Sequence, residues 1–393
     1  MFIRRDLLKT LLAYTDKFPV VAVVGPRQAG KTTLVRKAFP DRRYFSLEDP
    51  HTLELVHNDP RDFLERAYDG PGLIIDEFQN EPQLLSYMQS IIDNNRHRYG
   101  HFILTGSHNF LMNQAIGQTL AGRIAILTLL PASIHELQQD NLLSTDINTA
   151  TFFGGYPDVA THRLAPAEFY PNYNKTYVER DVRQLIQVGN LLDFQRFMRL
   201  CAGRIGQLLN VASLATDANV SVATAKAWLS ILEASYIFFF VAPHFNNFSK
   251  RLVKAPKLYF YDTGLACWLL KITDTEQLQD HYLRGGLVES MIIGELYKTF
   301  YNYGQEPSIY FWRDSHGHEL DCLIDYGITF IPIEIKASKT LTAAAFDGIK
   351  YWCNLANVDP STGYVIYAGT ETHKSVSGTT IGWQHTDDII KKI

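Results

Sequence analysis

The sequence predicts an α/β protein whose first part is a doubly wound, mostly parallel sheet. Short apolar runs alternate with helix-forming stretches across residues 18–130, which is the pattern of parallel strands joined by crossover helices. A glycine-rich loop separates the first apolar run from a helix, and a later apolar run ends in two adjacent carboxylates. A chain of 393 residues exceeds one ordinary core, so two or three domains are expected.

Composition narrows the class of protein. A net charge of -4, with 46% hydrophobic and 20% charged residues, excludes a wholly basic nucleic-acid binder but leaves room for local basic patches. No apolar run approaches the roughly 18 residues of a membrane span. The four cysteines are scattered without a C-x-x-C pair, which argues against a zinc site or a disulfide framework and favours reduced thiols.

The first residues predict a helix rather than an export signal. The pair Arg4-Arg5 is followed by Lys9, Asp16 and Lys17, which interrupt any apolar signal region. Leucines at 7, 8, 11 and 12 have helical spacing instead. We therefore expect a cytoplasmic protein without a membrane partner.

The glycine-rich loop predicts a phosphate site. The apolar run Val20–Val24 leads into GPRQAGKT at 25–32, which fits G-x-x-x-x-G-K-[ST], and helix formers follow. Loop N–H groups and the helix N-terminus would face the phosphates of ATP, Lys31 would reach the β and γ oxygens, and the Thr32 hydroxyl would bind Mg²⁺. The predicted nucleotide-binding residues are Gly25, Pro26, Arg27, Gln28, Ala29, Gly30, Lys31, Thr32 and Thr33.

A second motif supplies the acidic groups that ATP hydrolysis needs. Residues 73–77 read LIIDE, an apolar strand that ends in Asp76 and Glu77. Asp76 would join Thr32 as a predicted Mg²⁺ ligand, and Glu77 would polarise the attacking water. The next strand ends in Thr105 and Ser107. We expect these hydroxyls to sense the γ-phosphate, although a plain hydroxyl-capped strand exit is the alternative.

Arg123 is the last predicted catalytic residue of this part. It precedes the strand-like stretch 124–130, where a guanidinium could reach a γ-phosphate in its own or a neighbouring subunit. The alternative is that it complements a helix C-terminus. Residues 1–150 are thus predicted to form a P-loop ATPase domain, with Lys31, Glu77, Thr105, Ser107 and Arg123 as its catalytic set.

Residues 151–284 predict a helical linker followed by a winged helix. The stretch 173–183 has the polar face of a helix that packs on a neighbouring domain or, less favoured, touches nucleic acid. Helices over 211–218 and 222–234, with a turn at 219–221, are followed by two strands around a basic loop, as in winged helices. Lysines and an arginine of the loop would meet DNA phosphates: Lys250, Arg251, Lys254 and Lys257. Lys226 is the second helix's one cation, so a lid or spacer is an equal alternative to a DNA binder.

Residues 285–393 predict a third, α/β domain. A helix from 285 to about 301 precedes strands at 308–313, 319–325 and 330–336, then a helix and another strand. Asp321 followed by Glu334-x-Lys336 matches the core of PD-(D/E)xK nucleases. The two carboxylates would hold a second divalent metal with help from Glu289, and Lys336 would orient the nucleophile. A non-catalytic binding module with the same fold is the alternative.

These motifs occur in an order that resembles a known family. The matching stretches run through the chain: GPRQAGKTTL, LIIDEFQ, ILTGSHNFL, LAGRI, GGYPD, YVERDVRQL, KLYFYDTGLACWLL, FWRDSHGHELD and IPIEIKAS. They resemble a widespread prokaryotic family of predicted ATPases that couples an AAA+-like domain to a winged helix and a restriction-endonuclease-like domain. The resemblance implies an AAA+/STAND-type ATPase with links to DNA transactions or genome defence. No clear second arginine sensor follows the sheet.

Three hypotheses follow from the sequence. The first is an ATP-hydrolysing switch whose later domains engage double-stranded DNA. The second is a metal-dependent nuclease regulated by ATP. The third is a nucleotide-binding signalling or scaffold protein with a protein partner and no DNA activity. Self-association is compatible with each of them.

Overall fold

The computed structural model of the chain describes residues 2–67, 71–94, 98–107, 119–178, 191–244 and 254–391. The amino-terminal part of these residues forms a five-stranded sheet with the order β2-β3-β4-β1-β5. Every neighbouring pair in it is parallel. The strands are β1 (Val20–Val24), β2 (Arg43–Ser46), β3 (Leu73–Asp76), β4 (Phe102–Gly106) and β5 (Ile124–Thr128).

Helices cover both faces of this sheet, as the alternating sequence pattern predicts. Val21 and Val23 of β1 belong to a core shared with the first two helices, whereas Val20, Ala22 and Val24 face the opposite core. A strand buried on both faces accounts for the uninterrupted apolar run. The helices of this part are α1 (Leu7–Thr15), α2 (Lys31–Ala38), α3 (Pro50–Asn58), α4 (Pro60–Ala67) and α5 (Leu84–Asn94).

Helices make up most of the middle of the chain. Asn210 caps one of them by accepting the Ser213 N–H, and Ser221 caps the next by accepting the Thr224 N–H. Asn219 ends the first of these two helices in a left-handed conformation (φ 61°), so the predicted turn at 219–221 is confirmed. The helices are α6 (Ile134–Gln139), α7 (Ile147–Phe153), α8 (Pro157–Ala160), α9 (Pro166–Tyr173) with a π-helical turn at Asn174–Val178, α10 (Leu191–Ala202), α11 (Val211–Ala218) and α12 (Val222–Ala234).

The second sheet has eight strands and crosses the domain boundary expected at 284. Its order is β12-β13-β11-β10-β9-β8-β6-β7. The hairpin that follows α12 joins this sheet because Ala242 and Pro243 pair in parallel with Tyr310 and Phe311. The strands are β6 (Phe238–Pro243), β7 (Lys257–Phe260), β8 (Ile309–Arg313), β9 (Glu319–Asp325), β10 (Phe330–Lys336), β11 (Tyr364–Tyr367), β12 (His373–Ser375) and β13 (Gly378–Gly382).

One long helix connects the second sheet to the first. The remaining helices are α13 (Thr263–Leu269), α14 (Thr275–Asp280), α15 (Arg284–Asn302), α16 (Asp347–Ala356) and α17 (Asp388–Lys391). Helix α15 contacts β7 and β10 and also β5 of the first sheet. At its end, the Asn302 carbonyl accepts a 2.6 Å hydrogen bond from Thr10 of α1. The last third of the chain therefore packs directly on the first third.

Two further expectations concern the chain as a whole. The four cysteines are buried and free, as their spacing predicts. Within the described ranges, every helix is too short or too polar to cross a membrane.

Candidate functional site

The loop between β1 and α2 has the backbone shape of a phosphate cradle. Gly25 and Gly30 both have positive φ angles, 146° and 96°, which side chains rarely allow. A Cβ atom on Gly25 would lie 2.0 Å from the carbonyl oxygen of Leu129. Glycine is therefore required at position 25 both by the backbone conformation and by the close approach of Leu129, the residue that follows β5.

Lys31 lies inside this cradle. The residue is 5% exposed, and its Nζ donates hydrogen bonds to the carbonyls of Gly25 (2.9 Å) and Pro26 (2.8 Å). The carbonyl groups of the loop thus hold the ammonium group of Lys31 close to the N-terminus of α2. A phosphate is the natural ligand for that combination of a cation and helix N–H groups.

Asp76 is surrounded by hydroxyl groups at the same edge of the sheet. Because parallel strands end at one edge, β1 and β3 bring their motifs together there. The Thr32 hydroxyl lies 2.9 Å and 3.1 Å from the two Asp76 oxygens, and the Tyr44 hydroxyl donates to Oδ2 at 2.7 Å. Thr105 also hydrogen-bonds Asp76. This set of oxygens fits Mg²⁺, which prefers hydroxyl, carboxylate and water ligands.

Glu77 has a constrained geometry. Its backbone is left-handed, with φ 54° and ψ 45°, and such strain in a non-glycine residue often marks a functional site. The Ser107 hydroxyl donates to Oε2 at 3.0 Å, and the Gln79 amide also hydrogen-bonds this carboxylate. Glu77 is therefore held by two side-chain donors in this conformation.

The expected sensor residues Thr105 and Ser107 each contact a carboxylate of this site. Thr105 bonds Asp76 and Ser107 bonds Glu77. Both residues are nearly inaccessible to solvent. Their proposed contact with a γ-phosphate stays a prediction, but their position beside the two acidic groups is as expected.

Arg123 lies at the opposite edge of the sheet. Its carbonyl accepts the N–H of Val20, the first residue of β1, at 3.2 Å. Its guanidinium binds Asp93 through Nε (2.9 Å) and Nη2 (3.0 Å). At about 3.3 Å per residue, the length of β1 puts roughly 13 Å between this edge and the phosphate loop. A role for Arg123 at the γ-phosphate of its own chain is therefore wrong, whereas a role in a neighbouring subunit stays a prediction.

Arg5 braces the phosphate loop from behind, which sequence reasoning missed. Its side chain is 4% exposed. It donates to the carbonyls of Ala29 (2.7 Å) and Leu130 (2.6 Å) and forms a 3.0 Å ion pair with Glu136. An arginine just before a helix gives no local indication of a contact 24 residues further along the chain.

Tyr177 is a second missed residue, and it comes from the middle of the chain. Its hydroxyl accepts a 3.2 Å hydrogen bond from Gln28, and the Arg27 guanidinium lies 5.4 Å from the centre of its ring. The stretch 173–183 therefore begins by packing on the phosphate loop, in line with the expectation that it packs on a neighbouring domain. Arg180 and Arg183 lie outside the described residues.

The predicted nuclease residues meet in a second pocket of about 670 Å³. Lys336 Nζ lies 2.6 Å from Glu334 and 3.8 Å from Asp321. Asp321 also accepts the Ile335 N–H at 2.8 Å. Burial raises the pKa of Glu334 and of Glu289 above their ordinary range. Helix α15, β9 and β10 thus bring the four predicted groups together.

Lys257 changes the interpretation of that pocket. It is 3% exposed and pairs with Glu289 (3.1 Å) and Glu319 (2.5 Å). Burial alone would lower the pKa of Lys257, but these carboxylates hold it above its ordinary value. The expectation that Lys257 contacts DNA phosphates from a wing is therefore wrong. Lys254 is exposed, and Lys250 and Arg251 lie outside the described residues.

The expected second metal is not supported. In the part of the chain that the structure describes, no group of three His, Cys, Asp or Glu side chains is arranged to hold a metal ion. Glu289 was expected to complete a metal shell, but it is bonded to Lys257 and Tyr259 instead. Lys257 and Lys336 thus each pair with two carboxylates of this pocket.

Comparison with known proteins assigns the first part of the chain to a family of domains. Residues 17–138 match the family model described as AAA domain. Residues 144–276 and 284–384 match two domains of unknown function, DUF8612 and DUF4143. Uncharacterized proteins of Mycobacterium tuberculosis and Mycobacterium bovis are each 30% identical over 343 residues, which is 86% of this chain and 74% of theirs. The chain belongs to their family. Its first domain is a P-loop ATPase domain of the AAA type.

Solved structures with a related fold are more distant. A Walker-type ATPase of Pyrococcus abyssi is 15% identical with a TM-score of 0.44, covering 68% of this chain and 96% of its own. The RuvB Holliday junction branch migration motor of Thermotoga maritima is 16% identical with a TM-score of 0.32, covering 61% and 90%. Likenesses at this level do not bear on function.

Proposed function

We propose that this protein is a Mg²⁺-dependent ATPase that works as a nucleotide-controlled switch. The observation that carries the proposal is the meeting of Lys31 and Thr32 with Asp76 and Glu77 at one sheet edge. Lys31 would neutralise phosphate charge, Thr32 and Asp76 would hold Mg²⁺, and Glu77 would orient water. The metal would supply charge stabilisation at the phosphate oxygens.

Contacts from other parts of the chain support the switch. Tyr177 bonds the loop through Gln28, and Arg5 bonds it through Ala29. Arg5 is paired with Glu136, and Glu136 also accepts a 2.9 Å hydrogen bond from the Ser133 N–H. The next backbone N–H, that of Ile134, donates to Glu295 of α15 at 2.8 Å. A change in the loop on nucleotide binding would therefore bear on α9 and α15.

The proposed output of the switch is an interaction with double-stranded DNA. The helix pair α11–α12 followed by the β6–β7 hairpin supports a winged helix, and Lys226 on α12 and Lys254 beside β7 are exposed. The buried Lys257 weakens the basic wing, so few phosphate contacts are available within the described residues. We expect weak, salt-sensitive binding.

The first experiment measures ATP binding by calorimetry and phosphate release by the purified chain. Lys31→Ala should abolish binding, whereas Glu77→Gln should bind ATP and lose at least about 100-fold in turnover, the usual share of a general base. Lys37→Ala is the matched control, since Lys37 is on the same helix but exposed. Hydrolysis by Lys31→Ala at the wild-type rate would refute the assignment.

A metal-dependent nuclease is the second candidate, because the pocket does unite Glu289, Asp321, Glu334 and Lys336. A plasmid nicking assay with Mg²⁺ or Mn²⁺ should show cleavage that Glu334→Ala and Lys336→Ala both remove. Equal traces for the wild type and both variants would dismiss it. Absence of any salt-dependent DNA binding would leave the nucleotide-binding scaffold as the surviving hypothesis.

A further inference from the structure

A cavity of about 400 Å³ lies apart from both sites described above. It is formed by α6 and the segment that follows it, by α7 and by α15. Its walls are mainly apolar, with Ile134, Leu137, Leu142, Phe153 and Met291 among them. Cavities of this size and character are typical small-molecule sites, which span roughly 300–1,000 Å³.

The lining of the cavity includes the carboxylate of Glu295. Glu295 is 1% exposed, and its Oε1 accepts the Ile134 N–H at 2.8 Å. Its Oε2 is buried and has no hydrogen-bond partner among the described residues. Lys298, at 3.8 Å, is too distant for a hydrogen bond and donates instead to the Ala132 carbonyl at 3.1 Å. Buried polar atoms of this kind usually have a partner.

The other acidic group of the cavity is already satisfied. Asp262 accepts hydrogen bonds from the Gly155 N–H (2.8 Å), the Tyr170 hydroxyl (2.7 Å) and the Leu265 N–H (3.0 Å). The lining thus contains two carboxylates and one lysine. This balance favours a positively charged group over an anion, and Glu295 Oε2 is an oxygen of a lining residue that lacks a hydrogen-bond partner among the described residues.

We propose that this cavity binds a small organic molecule with an apolar body and a protonated amine that donates a hydrogen bond to Glu295 Oε2. The apolar body would lie against Phe153 and Met291. The ligand would touch α15 and the 132–137 segment at once, so it would stabilise their contact. The proposal does not depend on ATP binding.

Binding should depend on pH because the carboxylate must be charged. Burial raises the pKa of Glu295 to about 7. The charged groups that face Glu295 are Lys298, which favours the ionised form, and Asp387 and Glu136, which oppose it; Asp262 and His162 also line the cavity. An amine that stays protonated should therefore bind more tightly at pH 8 than at pH 6.

The test compares three probes of one shape on the full chain by ligand-observed NMR and calorimetry. Naphthylmethylamine should bind, naphthalenemethanol should bind at least tenfold more weakly, and naphthoic acid should not bind. Glu295→Gln should weaken the amine roughly 10-fold or more, the loss of a charged hydrogen bond, and leave the alcohol unchanged. Lys31→Ala is the control and should bind the amine like the wild type, because Lys31 lies outside the cavity. The result therefore tests the cavity separately from the proposed ATPase activity.

A second variant guards against a folding defect. Leu142→Trp at the partly exposed rim should block all three probes while the circular dichroism spectrum is unchanged. Equal amine binding by the wild type, Glu295→Gln and Leu142→Trp would place the probe elsewhere and overturn the proposal. Failure of the amine to bind the wild type at millimolar concentration would also overturn it.

Discussion

Replacing Arg5 should loosen the phosphate loop far more than replacing its neighbour Arg4. Arg5 and Glu136 form an ion pair whose side chains are 4% and 1% exposed. Arg4 pairs with Asp140 at 2.6 Å, but its side chain is 61% exposed. Removing one partner of a buried pair leaves an uncompensated charge and costs about 3–5 kcal/mol, whereas an exposed pair contributes about 0–1 kcal/mol.

The loss is best measured locally because a chain with several packed parts need not unfold in one step. Amide hydrogen exchange of residues 25–35 reports the opening of the loop and the start of α2. A loss of 3 kcal/mol corresponds to a roughly 100-fold faster exchange in Arg5→Ala. Arg4→Ala should change it by less than about fivefold.

The double variant Arg5→Met with Glu136→Gln separates charge from packing. Removing both charges should recover much of the loss, since no buried charge is then left alone. Equal exchange in Arg5→Ala and Arg4→Ala would refute the idea that Arg5 braces the loop. The nucleotide affinity of the two variants should follow the same order.

Three further predictions concern single residues. Gly25→Ala should abolish ATP binding in a titration, because its Cβ would lie 2.0 Å from Leu129 O; Gly285→Ala, in a helix with open space around it, is the control and should bind normally. Tyr177→Ala should weaken ATP binding roughly two- to fivefold through the lost cation–π contact with Arg27, and Tyr177→Phe should keep most of the affinity. Burial raises the pKa of Glu295 from 4.5 to about 7. Between these two pH values the folded state therefore holds a proton on Glu295 that the unfolded state has lost, so stability should fall as pH rises through this range. The urea midpoint of Glu295→Gln should fall less over the same range than that of the wild type; equal falls would contradict the raised pKa of Glu295.

The phosphate site could be predicted because its residues follow one another in the chain. Residues 25–32 and 73–77 are short strand-and-loop motifs, and parallel pairing then brings their ends to one edge. Arg5 and Tyr177 could not be predicted, since their contacts with Ala29 and Gln28 depend on how separate helices pack. Nothing in the sequence around Arg5 or Tyr177 indicates those partners.

The same distinction explains three places where the structure departs from the predictions. Arg123 was assigned from its place before a strand, but in a parallel sheet the start of a strand lies at the edge away from the phosphates. Lys257 was assigned to a basic loop, but it is the first residue of β7 and faces inward between Glu289 and Glu319. A domain boundary was predicted at 284 because a long helix begins there, but β6 and β8, which lie on either side of it in the chain, pair with each other. Strand pairing between distant segments is not visible in local patterns.

The most direct test of the nucleotide switch is amide hydrogen exchange of α15 with and without Mg²⁺ and ATP. The contacts from the loop through Arg5, Glu136 and the 133–134 segment to Glu295 predict that ATP changes exchange over 284–302 in the wild type and not in Lys31→Ala. Unchanged exchange in this helix during active ATP hydrolysis would contradict the switch and leave only an ATPase.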